Sequence, residues 1–216
     1  MSSDRFARQR DLVPMDGIER TRATVVGVGA IGRQVAIQLA AIGVPRIQLI
    51  DFDLVESVNV TTQGYFTDDI GRRKVFATSE VIQELDSKIT VIPVHEKFTD
   101  KIAFEQVMFC CVDSIDARRD IWRAAHKLVR FWSDGRMLGE VIRIITCVGD
   151  DEYYWSTLFA SQEAQRGRCT ARGTIYTANI AAGLMLEQFT RWLRNIPTDR
   201  DLSLNLLTSE LEILRQ

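Results

Sequence analysis

Apolar residues fall along this chain in a rhythm that switches between extended and helical periods. Residues 24–28 form a short apolar run ending among glycines. Ile31, Val35, Ala36, Leu39 and Ala40 then recur at helical spacing until Gly43 and Pro45 stop the pattern. This predicts a strand over 24–28, a helix over 32–42 and a second strand over 47–50. A polar stretch with few breakers follows and reads as a loop. Residues 73–85 are again amphipathic, and 89–94 are extended with Pro93 near the end, completing a β-α-β-α-β half. The apolar run 107–112, bounded by Asp113, has the look of a parallel strand buried on both faces. Downstream, a helix is predicted over 116–128, the start of a short strand at 131–132, an antiparallel strand over 141–148 and a final helix over 174–193. Asn195 and Pro197 mark the end of that helix. Residues 202–207 make either a last strand or a segment packed on a neighbouring subunit, and 5–19 read as a polar arm or helix. The expected fold class is α/β, a Rossmann-like doubly wound, mostly parallel sheet with antiparallel C-terminal strands.

Length and charge narrow the picture. A chain of 216 residues suits one domain, expected over 1–216 with an N-terminal arm over 1–22. With 27 basic and 29 acidic residues there is no basic excess, so nucleic acid is not expected as the primary partner. Cys110, Cys111, Cys147 and Cys169 form no C-x-x-C pair, which points to a reducing, cytoplasmic compartment. Residues 1–10 are polar and Arg-rich without an apolar core, and no apolar run approaches the ~18–20 residues that span a bilayer, so neither export nor membrane insertion is expected.

The chemistry begins at the first strand. Val25-Val26-Gly27-Val28-Gly29-Ala30-Ile31-Gly32 spans a strand end, a glycine turn and a helix start. Gly27 permits the turn, Gly29 lets backbone N–H groups approach a phosphate, and Gly32 allows close helix packing. Asp51, at the end of the second strand and about 20 residues beyond, stands where a carboxylate binds ribose hydroxyls. Asp53 lies beside it. Alone, this fingerprint most often belongs to dinucleotide oxidoreductases.

Further motifs redirect the reading. Arg5-Phe6-Ala7-Arg8-Gln9 precedes the glycines; Val55-Glu56-Ser57-Val58-Asn59-Val60-Thr61-Thr62-Gln63 and Asp69-Ile70-Gly71-Arg72-Arg73-Lys74 follow Asp53; Val112-Asp113-Ser114-Ile115-Asp116-Ala117-Arg118 comes later. In this order the chain, from Arg5 to Leu193, resembles the activating enzymes of ubiquitin-like and sulfur-carrier proteins, the ThiF/MoeB-type adenylyltransferases. The resemblance implies attack by the C-terminal glycine carboxylate of a small β-grasp carrier protein on the α-phosphate of ATP, giving an acyl adenylate and pyrophosphate. It assigns Lys74 to the phosphates, Asp113 to Mg²⁺, Asp51 to the ribose, and Asn59 and Gln63 to the triphosphate loop. Arg8 corresponds to an arginine that, in family homodimers, reaches the partner's nucleotide. Thr62 stands where the family commonly has a second phosphate-binding arginine, a position Arg72 or Arg73 would have to compensate. The paired C-x-x-C motifs of many relatives are absent, so no structural zinc is expected.

Cys169, flanked by Arg166, Arg168 and Arg172, occupies the place where such activators often carry an acyl-accepting thiol. Cationic neighbours favour the nucleophilic thiolate, although an inert loop cysteine fits the same sequence. Cys110, Cys111 and Cys147 read as core residues. Each site residue also has a plainer reading: Lys74 an exposed helix lysine, Asp113 a helix N-cap, Arg8 one charge of a polar arm, Arg136 a partner of Glu140 instead of a contact for the carrier tail. His95 and His126 have no companions that suggest catalysis. The rival functions are an NAD(P)-dependent oxidoreductase, for which no hydride-transfer acid is in place, and a non-catalytic nucleotide-binding scaffold. Within the family, a small molecule or modified tRNA base is an alternative substrate.

Overall fold

The computed structural model describes residues 5–149, 152–158 and 173–215. Short helix α1 (Met15–Glu19) leads into β1 (Arg22–Val26), α2 (Ala30–Ile42) and β2 (Arg46–Ile50). Then come α3 (Ser57–Gln63), α4 (Lys74–Leu85), β3 (Thr90–Val94), β4 (Val107–Cys110) and α5 (Ile115–Ala125). The C-terminal part holds β5 (Phe131–Leu138), β6 (Val141–Cys147), α6 (Glu152–Ser156), α7 (Ile175–Leu193), β7 (Asp199–Asn205) and β8 (Glu210–Arg215). The eight strands make one sheet in the order β3-β2-β1-β4-β5-β6-β7-β8. β1 to β5 run parallel and β6 to β8 antiparallel, the Rossmann-like arrangement expected.

Period-two alternation assigns each strand side chain to one of two cores. Val107 and Phe109 of β4 pack with α2, α4 and α7, while Met108 and Cys110 pack with Ile121, Trp122 and Ala125 of α5. Both faces are covered, which is why the central strand is wholly apolar. Pro93 is tolerated in β3 because that strand is an edge of the sheet.

Three segments depart from the reading of the sequence. The polar stretch after β2 contains α3, held by a capping box in which the Glu56 side chain accepts from the Asn59 backbone while Asn59 Oδ1 accepts the Glu56 N–H at 2.8 Å. β5 continues well beyond Trp132, because its charged residues are buried as ion pairs. The C-terminal segment forms the hairpin β7–β8 and not a single strand. Among the described residues, no helix is long and apolar enough to cross a membrane.

Candidate active site

The C-terminal ends of β1, β2 and β4 meet at the glycine turn. Gly27 has φ +85°, and a Cβ there would lie 2.8 Å from the Cys111 carbonyl, so the turn runs against the segment leading to Asp113. At Gly32 a Cβ would lie 1.8 Å from the Gly27 carbonyl oxygen. α2 therefore starts hard against its own turn, and Gly29, its N-cap, supplies no capping side chain. The N–H groups of that first turn form a site suited to an anion.

Asp51 fixes the turn. Its Oδ2 accepts the Val28 N–H at 2.6 Å and its Oδ1 accepts the Asp53 N–H at 2.8 Å. Burial pushes its carboxyl pKa above the ordinary value, and these N–H groups and Lys74 only partly oppose that. From Asp53 the contacts continue, since Lys74 Nζ donates to Asp53 Oδ2 at 2.9 Å. Lys74 is 5% exposed, so the exposed-lysine reading fails: its ammonium is held by one carboxylate at the start of α4.

Gln63 ends α3 over the glycines, with its Oε1 within 3.8 Å of where a Gly29 Cβ would lie. That oxygen is buried without a hydrogen-bond partner. An orphaned acceptor costs ~1–3 kcal/mol, which a ligand N–H or O–H donor in the cradle would relieve. The glycine backbone, the α2 N-terminus and a carboxylate-held lysine fit a nucleotide phosphate, whereas the Gln63 oxygen, an acceptor, fits a donor such as a ribose hydroxyl or a base amino group. Asn59 caps α3 through its Oδ1 and backbone N–H, which leaves its side-chain NH2 as the group that would donate to a phosphate.

Asp113 is exposed just past β4, and its carboxylate accepts no hydrogen bond among the described residues. The N-cap of α5 is Ser114, whose Oγ accepts the Ala117 N–H at 3.0 Å, so Asp113 is not spent on capping. Among the described residues no three His, Cys, Asp or Glu side chains gather as a metal cluster. Mg²⁺ held by Asp113 would need phosphate oxygens for its remaining positions, as Mg²⁺ commonly uses.

At Thr62 the side chain is turned back on its own helix, and the two arginines expected to compensate have partners of their own without a ligand. Thr62 donates its hydroxyl to the Val58 carbonyl at 2.6 Å. Arg72 is bound to Asp69 and Glu80, and Arg73 lies over Phe76. Arg136 does not pair with Glu140; it donates to Asp134 and Thr157, while Glu140 accepts from Tyr176. Arg8 is exposed, and neighbouring Phe6 packs on Gly43 at the far end of α2, roughly 20 Å from the glycine turn. Cys110 is buried, its thiol pushed up to about 12 by desolvation, and Cys147 is buried as well, so both are core residues as expected. Cys111 is partly buried, with burial raising its thiol too. Cys169 and its arginines lie outside the described residues.

Two features escaped the sequence. Tyr65 donates its hydroxyl to the Val28 carbonyl at 2.6 Å under the buried Arg33, whose guanidinium lies 4.2 Å from the Tyr65 ring. The other is a buried ion cluster around Asp134. A charged residue on the apolar side of a predicted helix, as at Arg33, was the available signal for the first.

The sequence profile of the ThiF family matches residues 6–215. The chain is 27% identical over 117 residues to a Salmonella typhimurium protein named molybdopterin-synthase adenylyltransferase, covering 51% of this chain and 47% of that one. It is 28% identical over 128 residues to the Escherichia coli sulfur carrier protein ThiS adenylyltransferase, 54% and 51% of the two chains. Against the Bos taurus adenylyltransferase and sulfurtransferase MOCS3 the identity is 34% over 109 residues, 48% of this chain and 24% of the relative. The alignments thus span half or less, or just over half, of the relatives' own lengths. Among solved structures, E. coli MccB with MccA-N7isoASN superposes at a TM-score of 0.82 over 99% of this chain and 72% of the other, at 17% identity.

Proposed function

The chain belongs to the ThiF family, and from that membership we propose that it is an ATP-dependent adenylyltransferase acting on the C-terminal carboxylate of a small β-grasp carrier protein. Its named relatives include adenylyltransferases of molybdopterin synthase and of ThiS. The observation that carries the reading is the continuous set of contacts from Val28 through Asp51 and Asp53 to Lys74, with the orphaned Gln63 oxygen over the same cradle.

In the proposed reaction a carboxylate oxygen of the carrier attacks the α-phosphorus of ATP. The bond to the β-phosphate oxygen breaks, and pyrophosphate leaves with the electron pair; no proton moves, because the carboxylate is already ionised at neutral pH. What the site must supply is positive charge and position. The α2 N-terminus and Lys74 hold the phosphates, and Gly27, Gly29, Ala30, Ile31 and Gly32 let the backbone come close. Asp51 keeps the turn in shape beside the ribose. Mg²⁺, held by Asp113, would neutralise phosphate charge. Transfer to Cys169 is a proposed second step, in which the thiolate attacks the acyl carbon and AMP leaves.

A homodimer belongs to this proposal. Phe52, Leu54, Val58, Phe66, Ile70 and Phe76 are all exposed within 52–76, and a second copy packed on this stretch would remove their apolar area from water. Arg8 is remote from its own glycine turn, so only a partner's arm would bring that arginine to the nucleotide.

The scaffold reading survives on one observation, the missing arginine at Thr62. ATP–pyrophosphate exchange separates the two. Exchange that depends on the carrier, is lost in Asp113→Ala and persists in Cys169→Ala is the expected result. A carrier that binds without supporting exchange contradicts the enzyme reading and favours the scaffold.

A further inference from the structure

Asp134 is fully buried in β5, directly opposite Cys110 in the neighbouring strand and so close to the base of the loop that presents Asp113. Its Oδ1 accepts from Arg118 Nε at 2.9 Å. Its Oδ2 accepts from Arg136 Nε at 2.7 Å and from the Tyr154 hydroxyl at 3.0 Å. Arg136 lies two residues along the same strand, while the other two donors come from separate helices. Arg118 lies in the first turns of α5, the helix that begins immediately after Asp113 and Ser114. Tyr154 lies in α6. Arg136 continues from Asp134 to the segment after α6, donating Nη1 to the Thr157 carbonyl at 2.9 Å and Nη2 to Thr157 Oγ1 at 3.0 Å. Arg119, on the same helix as Arg118, donates to the Leu158 carbonyl at 3.2 Å.

The charges at this junction do not cancel. Two guanidiniums share one carboxylate that has no surface open to solvent. Burial alone would keep Asp134 protonated, but Arg118 and Arg136 hold its carboxyl below the ordinary range. A buried network of this kind is costly to break from one side, since losing the central anion leaves two cations facing each other. Its members join three elements that the backbone ladder does not join: β5, the start of α5 and the 152–158 segment.

We infer that Asp134 is a positioning residue for the adenylation reaction, acting through Arg118 to fix the loop that carries Asp113 and through Arg136 and Tyr154 to fix the 152–158 segment. The inference rests on the function proposed above. Asp134 touches no reacting atom; it sets where Asp113 stands relative to the glycine turn. Mispositioning of about 1 Å at a reacting centre is enough to cost on the order of 10²-fold in rate.

The test is Asp134→Asn, which keeps the shape and removes the charge. The control is Asp199→Asn, which breaks a comparably buried pair with Arg191 at the junction of α7 and β7. For Asp134→Asn, ATP–pyrophosphate exchange is expected to lose about 10²-fold in kcat, with KM for ATP within about threefold. The Mg²⁺ concentration for half-maximal nucleotide binding should rise severalfold. Asp199→Asn should lower the melting temperature while keeping kcat and the Mg²⁺ midpoint. Tyr154→Phe removes a single hydrogen bond and keeps the core filled, so it serves if Asp134→Asn fails to fold; it should shift the Mg²⁺ midpoint in the same direction by a smaller factor. The inference is overturned if the folded variants keep the wild-type kcat and Mg²⁺ midpoint, or if Asp199→Asn changes both as strongly. Wild-type protein without exchange activity contradicts the adenylation reading only, since the Mg²⁺ dependence of nucleotide binding still reports on Asp134.

Discussion

Lys74→Ala is expected to cut carrier-dependent ATP–pyrophosphate exchange by about 10²–10³-fold, the loss typical when one preorganised charge-stabilising donor is removed from a water-poor site. The reasoning starts from burial. A lysine that is 5% exposed has lost most of its hydration, and a single carboxylate, Asp53, orients its ammonium at 2.9 Å. Asp53 is itself half exposed, so losing the lysine leaves no buried orphan and should cost little stability. The melting temperature should therefore stay close to that of the wild type while exchange collapses. Lys74→Arg should not restore the rate, because the forked guanidinium does not fit the compact space of an ammonium. Exchange kinetics beside thermal melts check both parts, and near-normal exchange in Lys74→Ala would remove the lysine from the phosphate site.

The second large effect is structural. At Gly32 a methyl group would lie 1.8 Å from the Gly27 carbonyl oxygen, 2.9 Å from its carbon and 3.1 Å from Cys111 Cβ. Two of these are backbone atoms of the turn that Asp51 and Tyr65 hold in place, so the chain has nowhere to yield. Gly32→Ala is expected to destabilise by about 3 kcal/mol or more, lowering the melting temperature by roughly 6–12 °C, and to abolish nucleotide binding. Gly183, in α7, is the matched control: a Cβ there meets nothing within 4 Å. Gly183→Ala should stabilise by up to about 1 kcal/mol through helix propensity. Calorimetric melts with nucleotide titrations would distinguish the two, and equal behaviour would deny that the turn and α2 are sterically locked.

Both positions are legible in the sequence because their signals are local. The glycine spacing, Asp51 at a strand end and the burial of 107–110 follow from short-range period and composition. α3 is not legible: Ser57-Val58-Asn59-Val60-Thr61-Thr62 is rich in β-branched residues that disfavour helix. It forms because Glu56 and Asn59 cap it reciprocally. The continuation of β5 is hidden for the opposite reason. Ser133-Asp134-Gly135-Arg136 looks like a turn, and Asp and Gly are depleted in strands. Arg118 of α5 and Tyr154 of α6, arriving from separate elements, together with Arg136 two residues along the same strand, make a buried aspartate acceptable there. No periodicity encodes such a cluster. β8 carries no core signal because its Leu211, Ile213 and Leu214 remain exposed.

Of the candidate site, the glycine turn and Asp51, read from spacing, lie beside Asp53, Gln63 and Lys74, which only the family resemblance pointed to. Asn59 adds a capping role through its Oδ1, which the sequence does not display. At Thr62, of the two arginines expected to compensate, Arg72 is engaged by two carboxylates and Arg73 is exposed over the Phe76 ring. With Thr62 turned back on α3, the charge on the proposed phosphate site comes chiefly from Lys74 and the α2 N-terminus, which is why the lysine variant carries so much weight.

The most direct measurement incubates the protein with ATP labelled at the α-phosphate, Mg²⁺ and a β-grasp carrier ending in glycine, then asks by mass spectrometry and autoradiography where the label goes. The account predicts AMP on the carrier's C-terminal carboxylate with release of unlabelled pyrophosphate, and none of either with Asp113→Ala. A carrier that binds stably while the label stays in intact ATP would contradict it.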